Sequence, residues 1–170
     1  RELATMNPVL NDAHTGLRLP DTAYDAAVAD GAIAFSVPVR VSGNRLFIES
    51  TIQSSSPLNP GDEILTVNGQ AVGSLIAELV PRMRGESRSL RERVLSLRFP
   101  IALWTVQGQR GPHVLTLAGE DCPRTVILDP ERDIAVPGEG AYGLDIRGTI
   151  AILRADSFDA AREEEIAAFL

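Results

Sequence analysis

Histidine is the residue type in this sequence best suited to proton transfer at neutral pH, because the ordinary pKa of an imidazole is about 6.5. The chain contains His14 and His113. His14 lies in the segment Asn11-Asp12-Ala13-His14-Thr15-Gly16-Leu17, where Asp12 and Thr15 are near enough along the chain to share hydrogen bonds with it. On the residues alone, this pattern also fits a histidine that fixes a turn with these two neighbours.

No residue of this chain is an evident nucleophile. The elbow motif Gly-x-Ser-x-Gly does not occur, and Ser157, which precedes a predicted helix, fits a helix cap better than a nucleophile. All 16 basic residues are arginine, so the chain has no catalytic lysine. His113, Asp121 and Cys122 match no zinc-ligand spacing, and we predict neither a metal nor a cofactor.

Composition indicates a globular chain and disfavours two classes of partner. Hydrophobic residues make up 44% of the 170 positions and charged residues 23%, as in folded domains. The net charge of −7 argues against binding to a nucleic-acid backbone, and no apolar run reaches the roughly 18 residues of a membrane span. The sequence starts at Arg1 and stops inside a predicted helix, so we expect it to be part of a longer protein.

The element that organises the chain is a turn, a short strand and a second turn between residues 57 and 72. Pro60-Gly61 predicts a turn, because proline presets φ and glycine accepts the positive φ that follows. The branched residues from Ile64 to Val67 then predict a strand. Asn68-Gly69 is typical of a tight two-residue turn.

The elements around this segment are predicted from periodicity. Alternating apolar residues predict a strand over residues 35–41, and Pro38 places it at a sheet edge or a bulge. A second strand covers residues 46–48. A short helix is predicted over residues 21–29 and another over 74–83, the latter with Leu75 and Leu79 in one apolar stripe.

The second half of the chain is predicted to continue with a capped helix and further strands. Ser89 and Glu92 match a capping box that opens a helix through Leu97, and Pro100 fits the start of the next helix. Strands are predicted at 113–117 and 125–128. Beyond a Pro- and Gly-rich linker, residues 142–146 and the continuously apolar residues 149–153 predict two more strands, the second covered on both faces and followed by a helix.

The stretch Leu58-x-Pro60-Gly61-Asp62-x-Ile64-Leu65-x-Val67-Asn68-Gly69-x-x-Val72 resembles the signature of bacterial PDZ domains. Two further blocks extend the likeness. The Leu10–Leu17 segment is similar to the Asp-x-His-Thr segment that precedes the PDZ domain of tricorn and carboxyl-terminal-processing (tail-specific) serine peptidases. Residues 148–158 resemble the strand at which their catalytic core resumes. The three blocks stand in the family's order and span nearly the whole chain.

This resemblance implies an α+β fold: a PDZ-like small β-barrel or sandwich with two or more helices, flanked by pieces of an incomplete α/β peptidase core. The implied domains are a pre-PDZ helical segment (1–31), the PDZ-like domain with a helical insertion (32–129), a linker (130–140) and the start of the catalytic core (141–170). A bacterial periplasmic or secreted location is implied as well.

The resemblance also implies a function, the hydrolysis of peptide bonds by the full-length protein. In tricorn-type members the histidine at the position of His14 is the general base for a serine supplied later in the chain, whereas the carboxyl-terminal-processing branch uses a Ser–Lys pair.

A PDZ domain binds a chain terminus as an added strand, which makes Phe35, Val37, Val39, Leu75 and Leu79 the expected peptide-binding residues. No glycine-rich carboxylate loop precedes Phe35, so a structural or gating role for the domain stands beside substrate tethering. The alternative is a non-enzymatic PDZ-type peptide-binding or scaffolding module. Oligomeric state is left open.

Overall fold

A computed structural model describes residues 2–10, 12, 14–50, 55–133, 142–147 and 150–155 of the chain. The chain divides into two compact units, Arg1–Ala135 and Val136–Leu170. In the first unit the helices are α1 (Asn7–Leu10), preceded by a 3₁₀ helix (Glu2–Met6), α2 (Asp21–Ala29), α3 (Val72–Leu79), followed by a 3₁₀ turn (Val80–Arg82), and α4 (Arg88–Gln107). Its strands are β1 (Val39–Ser42), β2 (Arg45–Ile48), β3 (Glu63–Val67), β4 (Gln70–Ala71), β5 (Val114–Leu117) and β6 (Arg124–Ile127).

The strands of the first unit form one open antiparallel sheet. The order is β1-β2-β3-β5-β6, and the short β4 pairs with β3. Helices α3 and α4 pack against this sheet, with α3 beside β2 and β3 and α4 beside β1. The predicted mixed α+β class is therefore confirmed, and within the described part of the chain β1 lies at one edge of the sheet.

Both predicted turns around β3 are present. Gly61 has φ +90° after Pro60, and Asn68 and Gly69 have φ of +49° and +78°, so both central residues of the β3–β4 turn are left-handed as such a hairpin requires. Asp62 stabilises the first turn, since its carboxylate accepts the Asn59 N–H at 2.9 Å and a guanidinium hydrogen bond from Arg124 of β6 at 2.5 Å. The acidic residue of the motif thus joins the turn to a distant strand.

Proline shortens two predicted elements. The strand predicted over residues 35–41 begins only at Val39, directly after Pro38, which has no N–H group to donate to a neighbouring strand. The helix predicted over residues 74–83 runs instead from Val72 to Leu79 and tightens into the 3₁₀ turn that contains Pro81.

Helix α4 corrects two predictions. Its N-cap is Ser87, not Ser89: Ser87 is extended and its hydroxyl accepts the Leu90 N–H at 3.1 Å. The helix also continues through Pro100 to Gln107, where a new helix was predicted to start. An interior proline costs about 3 kcal/mol, but Leu95, Phe99 and Leu103 are fully buried on either side of it. Their burial, at about 1.5–3 kcal/mol for each large apolar side chain, outweighs that cost.

The core of the first unit lies between the sheet and the two longer helices. It joins Leu46, Ile64, Leu115 and Leu117 of the sheet to the apolar faces of α3 and α4. Helix α2 has the predicted bounds and no buried residue, and it contacts α4 through an edge-to-face pair of Tyr24 and Trp104 with ring centroids 5.8 Å apart. In the described segments, no helix combines the length and the apolar composition needed to cross a bilayer.

The second unit contains β7 (Tyr142–Arg147) and β8 (Ile150–Ala155), which pair antiparallel from Tyr142↔Ala155 to Arg147↔Ile150. Both predicted strands are present. The predicted burial of β8 on both faces is not observed, because Ile150 is 62% and Ile152 45% exposed. The two strands that are described in this unit provide no second layer to cover these side chains. The helix predicted after Ser157 lies outside the described residues.

The N-cap assignment predicts a difference between two nearby serines. Ser87→Ala should lower the free energy of unfolding by about 1 kcal/mol, because the Leu90 N–H loses its acceptor. Ser89→Ala is the matched comparison and should change it by less than about 0.5 kcal/mol, because the exposed Ser89 hydroxyl contacts only the Ser87 hydroxyl, at 3.1 Å, and accepts no backbone N–H of the helix. Urea unfolding of the two variants measures both values, and a larger loss for Ser89→Ala would contradict the assignment.

Candidate functional site

His14 lies on an exposed segment between α1 and α2. Its backbone N–H donates to the Asp12 carboxylate at 2.9 Å. Hydrogen bonds from the Thr15 hydroxyl and from this N–H hold the pKa of Asp12 below its ordinary value, so the carboxylate is ionised at neutral pH. Asp12 therefore fixes the backbone of the segment, while the His14 side chain is exposed.

Asn7 anchors this segment to the rest of the first unit. Its side chain is fully buried, and its Oδ1 atom accepts the Leu17 N–H at 2.8 Å. Its Nδ2 group donates to the carbonyl oxygens of Leu17 at 3.0 Å and of Arg82 at 2.7 Å. Gly16 permits this close approach, because a Cβ atom there would lie 3.0 Å from Asn7 Oδ1 and 3.1 Å from Arg84 Cβ. The buried Asn7 amide thus connects the residues before and after His14 to the 3₁₀ turn that follows α3.

An apolar surface lies on the helical residues before His14. Leu3, Met6, Val9 and Leu10 are between 45% and 80% exposed. The sequence pattern of Leu3, Met6 and Leu10 predicts a face that packs on another element, but in this chain Ala4 and Asn7 are the buried residues of these turns. The predicted apolar stripe is therefore present and faces outward.

The five residues predicted to bind a peptide lie in the hydrophobic core. The structure brings them into one cluster, but the most exposed of them retains only 3% of its surface: Phe35 3%, Val37 1%, Val39 1%, Leu75 0% and Leu79 0%. A PDZ-type groove needs side chains that a ligand can reach. In this conformation, these five stabilise the domain and are closed to solvent.

Helix α4 occupies the side of β1 at which a peptide strand would add. The Val41 N–H donates to the Ser96 hydroxyl at 2.8 Å, and this hydroxyl donates in turn to the Glu92 carbonyl at 2.9 Å. Glu92 also accepts the Gly43 N–H at 3.2 Å. Phe99, one turn beyond Ser96, packs edge-to-face on Phe35 with centroids 5.2 Å apart. The helix thus takes up a backbone N–H group on the outer side of β1. A peptide that added as a strand at this edge would need that group as a hydrogen-bond donor.

The backbone before β1, where a PDZ domain binds a terminal carboxylate, is also occupied. The Gly31 and Ala32 N–H groups donate to Val28 and Ala27 carbonyls at the end of α2, at 3.0 and 2.9 Å. The Ile33 N–H donates to the Arg110 carbonyl at 3.1 Å. A carboxylate loop requires free N–H groups, and these three have protein partners.

His113 closes the same region from the sheet side. It is buried, with 2% exposure, and its Nε2 atom lies 3.0 Å from the Ile33 carbonyl oxygen. A carbonyl only accepts, so Nε2 carries a proton, and the imidazole is neutral at neutral pH because its pKa is lowered. Nδ1 is buried and has no partner among the described residues. Burial lowers the pKa of His113, with the Ile33 hydrogen bond acting in the opposite direction.

Sequence reasoning missed Asn7 and Ser96, the two buried polar residues on which these arrangements depend. Asn7 falls between apolar residues of a helical pattern, and Ser96 stands between Leu95 and Leu97 at a one-turn spacing from Glu92 and Phe99. A lone polar residue on an apolar helical face is the signal that could have indicated a buried hydrogen bond. Its partner, however, cannot be inferred locally, since Val41 is 55 residues away from Ser96.

The neutral state of His113 predicts a pH dependence of stability. The pKa of His113 is lower in the folded than in the unfolded chain, so between the two values the unfolded chain binds more protons and stability falls as pH falls. The loss should begin near pH 7 and continue through pH 6. His113→Gln keeps a donor toward Ile33 without a titrating group and should lack this component of the pH dependence. Urea unfolding at several pH values measures the slope, and equal slopes for both proteins would contradict the assignment.

Neither a protein-family model nor a curated protein matches the chain. Among the described residues, no three His, Cys, Asp or Glu side chains lie together in a way that could hold a metal ion.

Proposed function

We propose that this chain is part of a serine peptidase of the tricorn and carboxyl-terminal-processing type, in which His14 is the general base. The observation that carries the proposal is an exposed imidazole on a backbone held by two side chains, Asp12 and Asn7. A general base must reach the substrate and be held in place.

In the proposed reaction the nucleophile is a serine outside these 170 residues. Its hydroxyl attacks the peptide carbonyl carbon while the His14 imidazole takes the hydroxyl proton. The imidazolium then gives this proton to the leaving amine, and an acyl-enzyme forms. Water, deprotonated by the same imidazole, releases the acid product and restores the serine.

We assign residues 32–129 to a PDZ-like domain that orients the catalytic parts and does not hold the substrate end in its groove. The Val41–Ser96 hydrogen bond and the burial of Phe35 and Leu75 support this role. The same observations disfavour the alternative of a non-enzymatic PDZ-type peptide-binding module, because that function needs the groove open. Residues 141–170 would begin the α/β catalytic core. The periplasm or the exterior of a bacterium is the proposed location.

Substitution of His14 in the full-length protein tests the proposal. His14→Ala should lower kcat by about 10²–10⁴-fold, which is the usual contribution of a general base, and should leave peptide binding unchanged. Cleavage of a quenched fluorescent peptide and fluorescence anisotropy measure the two effects. Asp25→Asn, on the exposed face of α2, is the control and should leave both unchanged.

Two outcomes would overturn the proposal in different ways. Unchanged turnover in His14→Ala would remove His14 as the base and favour the Ser–Lys mechanism, with its lysine outside this chain. A wild-type protein that binds peptides and cleaves none would favour the scaffolding alternative.

A further inference from the structure

A cleft of about 200 Å³ lies beside the segment that Asn7 anchors. One wall is formed by residues 17–21, which directly follow the His14 turn. The second is formed by residues 82–84 after α3, and the third by the face of α4 around Val94 and Leu97. Because Asn7 bonds both Leu17 and Arg82, two of the three walls belong to one hydrogen-bonded framework.

The cleft concentrates positive charge in an acidic chain. Its lining includes the following charged residues: Arg18, Arg82, Arg84, Arg98 and Asp21. Arg98 pairs with Asp21, and Arg82 is directed toward Glu78, with its Nη2 atom 3.8 Å from the carboxylate and its Nη1 group donating to the Glu78 carbonyl. In the described part of the chain, Arg18 and Arg84 have no acidic partner. Two guanidinium groups without an acidic partner among the described residues favour an anion at this cleft, against a net charge of the chain of −7.

The remaining walls of the cleft are apolar. Leu97 is 64% and Leu17 45% exposed, and both line the cleft together with the half-buried Val94. Burial of an apolar side chain against them is favourable by about 25 cal/mol for each Å² removed from water. The ligand that fits both features carries a carboxylate next to an apolar side chain, as the last residue of a peptide does.

We propose that this cleft binds the carboxyl-terminal residue of a peptide, with Arg84 and Arg18 on its carboxylate and Leu17 and Leu97 against its side chain. The choice of a peptide as ligand rests on the proposed function, whereas the cleft and its charges do not. The cleft lies outside the PDZ-type groove, whose edge is already bonded to α4. Substrate ends would thus be held next to the His14 segment by a framework that includes the same Asn7 amide.

Fluorescence anisotropy on this chain tests the proposal with a labelled hexapeptide Ala-Ser-Ala-Ser-Ala-Leu. The peptide with a free carboxylate should bind, and its carboxyl-amidated form should bind about tenfold or more weakly, because each lost charge-assisted hydrogen bond is worth about that factor. The double variant Arg84→Gln and Arg18→Gln should bind the peptide with a free carboxylate at least about tenfold more weakly than the wild-type chain does. A peptide ending in serine should bind more weakly than the one ending in leucine.

The controls separate a carboxylate-specific cleft from a general anion site and from nonspecific charge attraction. Arg40→Gln removes an exposed arginine of β1 that does not line the cleft, and it should leave binding unchanged. Equal binding of amidated and free peptides, or full binding by the double arginine variant, would overturn the proposal. Displacement of the peptide by an equal concentration of inorganic phosphate would do so as well, since it indicates a general anion site. His14→Ala should keep peptide binding, so loss of turnover in that variant and loss of binding in the arginine variant test the two proposals separately.

Discussion

The hydrogen bond from the Val41 N–H to the Ser96 hydroxyl joins the edge of the sheet to helix α4, and the closure of this edge depends on it. It is buried, and Phe99 packs on Phe35 one turn further along the helix. A buried N–H without an acceptor costs about 1–3 kcal/mol, so separating helix and strand would require a replacement partner for Val41 and a new cover for Phe35. The edge strand is thereby protected from adding a further strand, which is a common liability of open sheets.

A second constraint is the Asn7 side chain, which satisfies three backbone groups of two separate segments. A buried amide is retained only where its hydrogen bonds are made, and here they set the position of the His14 turn relative to the end of α3. Asp12 acts at shorter range, through the backbone of His14. The general-base and turn-fixing interpretations of this segment are therefore compatible: Asp12 and Asn7 hold the turn, and the imidazole is left exposed.

The sequence was sufficient to predict features set by local chemistry. The turns at Pro60-Gly61 and Asn68-Gly69, helix α2 and the antiparallel strands follow from residues a few positions apart, and the structure contains them. Features that depend on distant contacts were not predictable in the same way. The interior position of Pro100 is tolerated because Phe99 and Leu103 are buried against the sheet, and the closed edge of β1 depends on a serine 55 residues away. The residues predicted for a peptide groove lie in the buried core, and one of them, Phe35, is covered by Phe99 of α4.

Hydrogen exchange of the Val41 amide, followed by NMR in the wild-type chain and in Ser96→Ala, tests most directly whether α4 closes the β1 edge. If it does, the wild-type amide exchanges only through opening of the domain, and its protection approaches that of the central strands. In Ser96→Ala this protection should fall by about tenfold or more, since one buried hydrogen bond is removed. Rapid exchange of the Val41 amide in the wild-type chain, comparable to that of exposed turn amides, would contradict a closed edge. The edge of β1 would then be a candidate peptide-binding site.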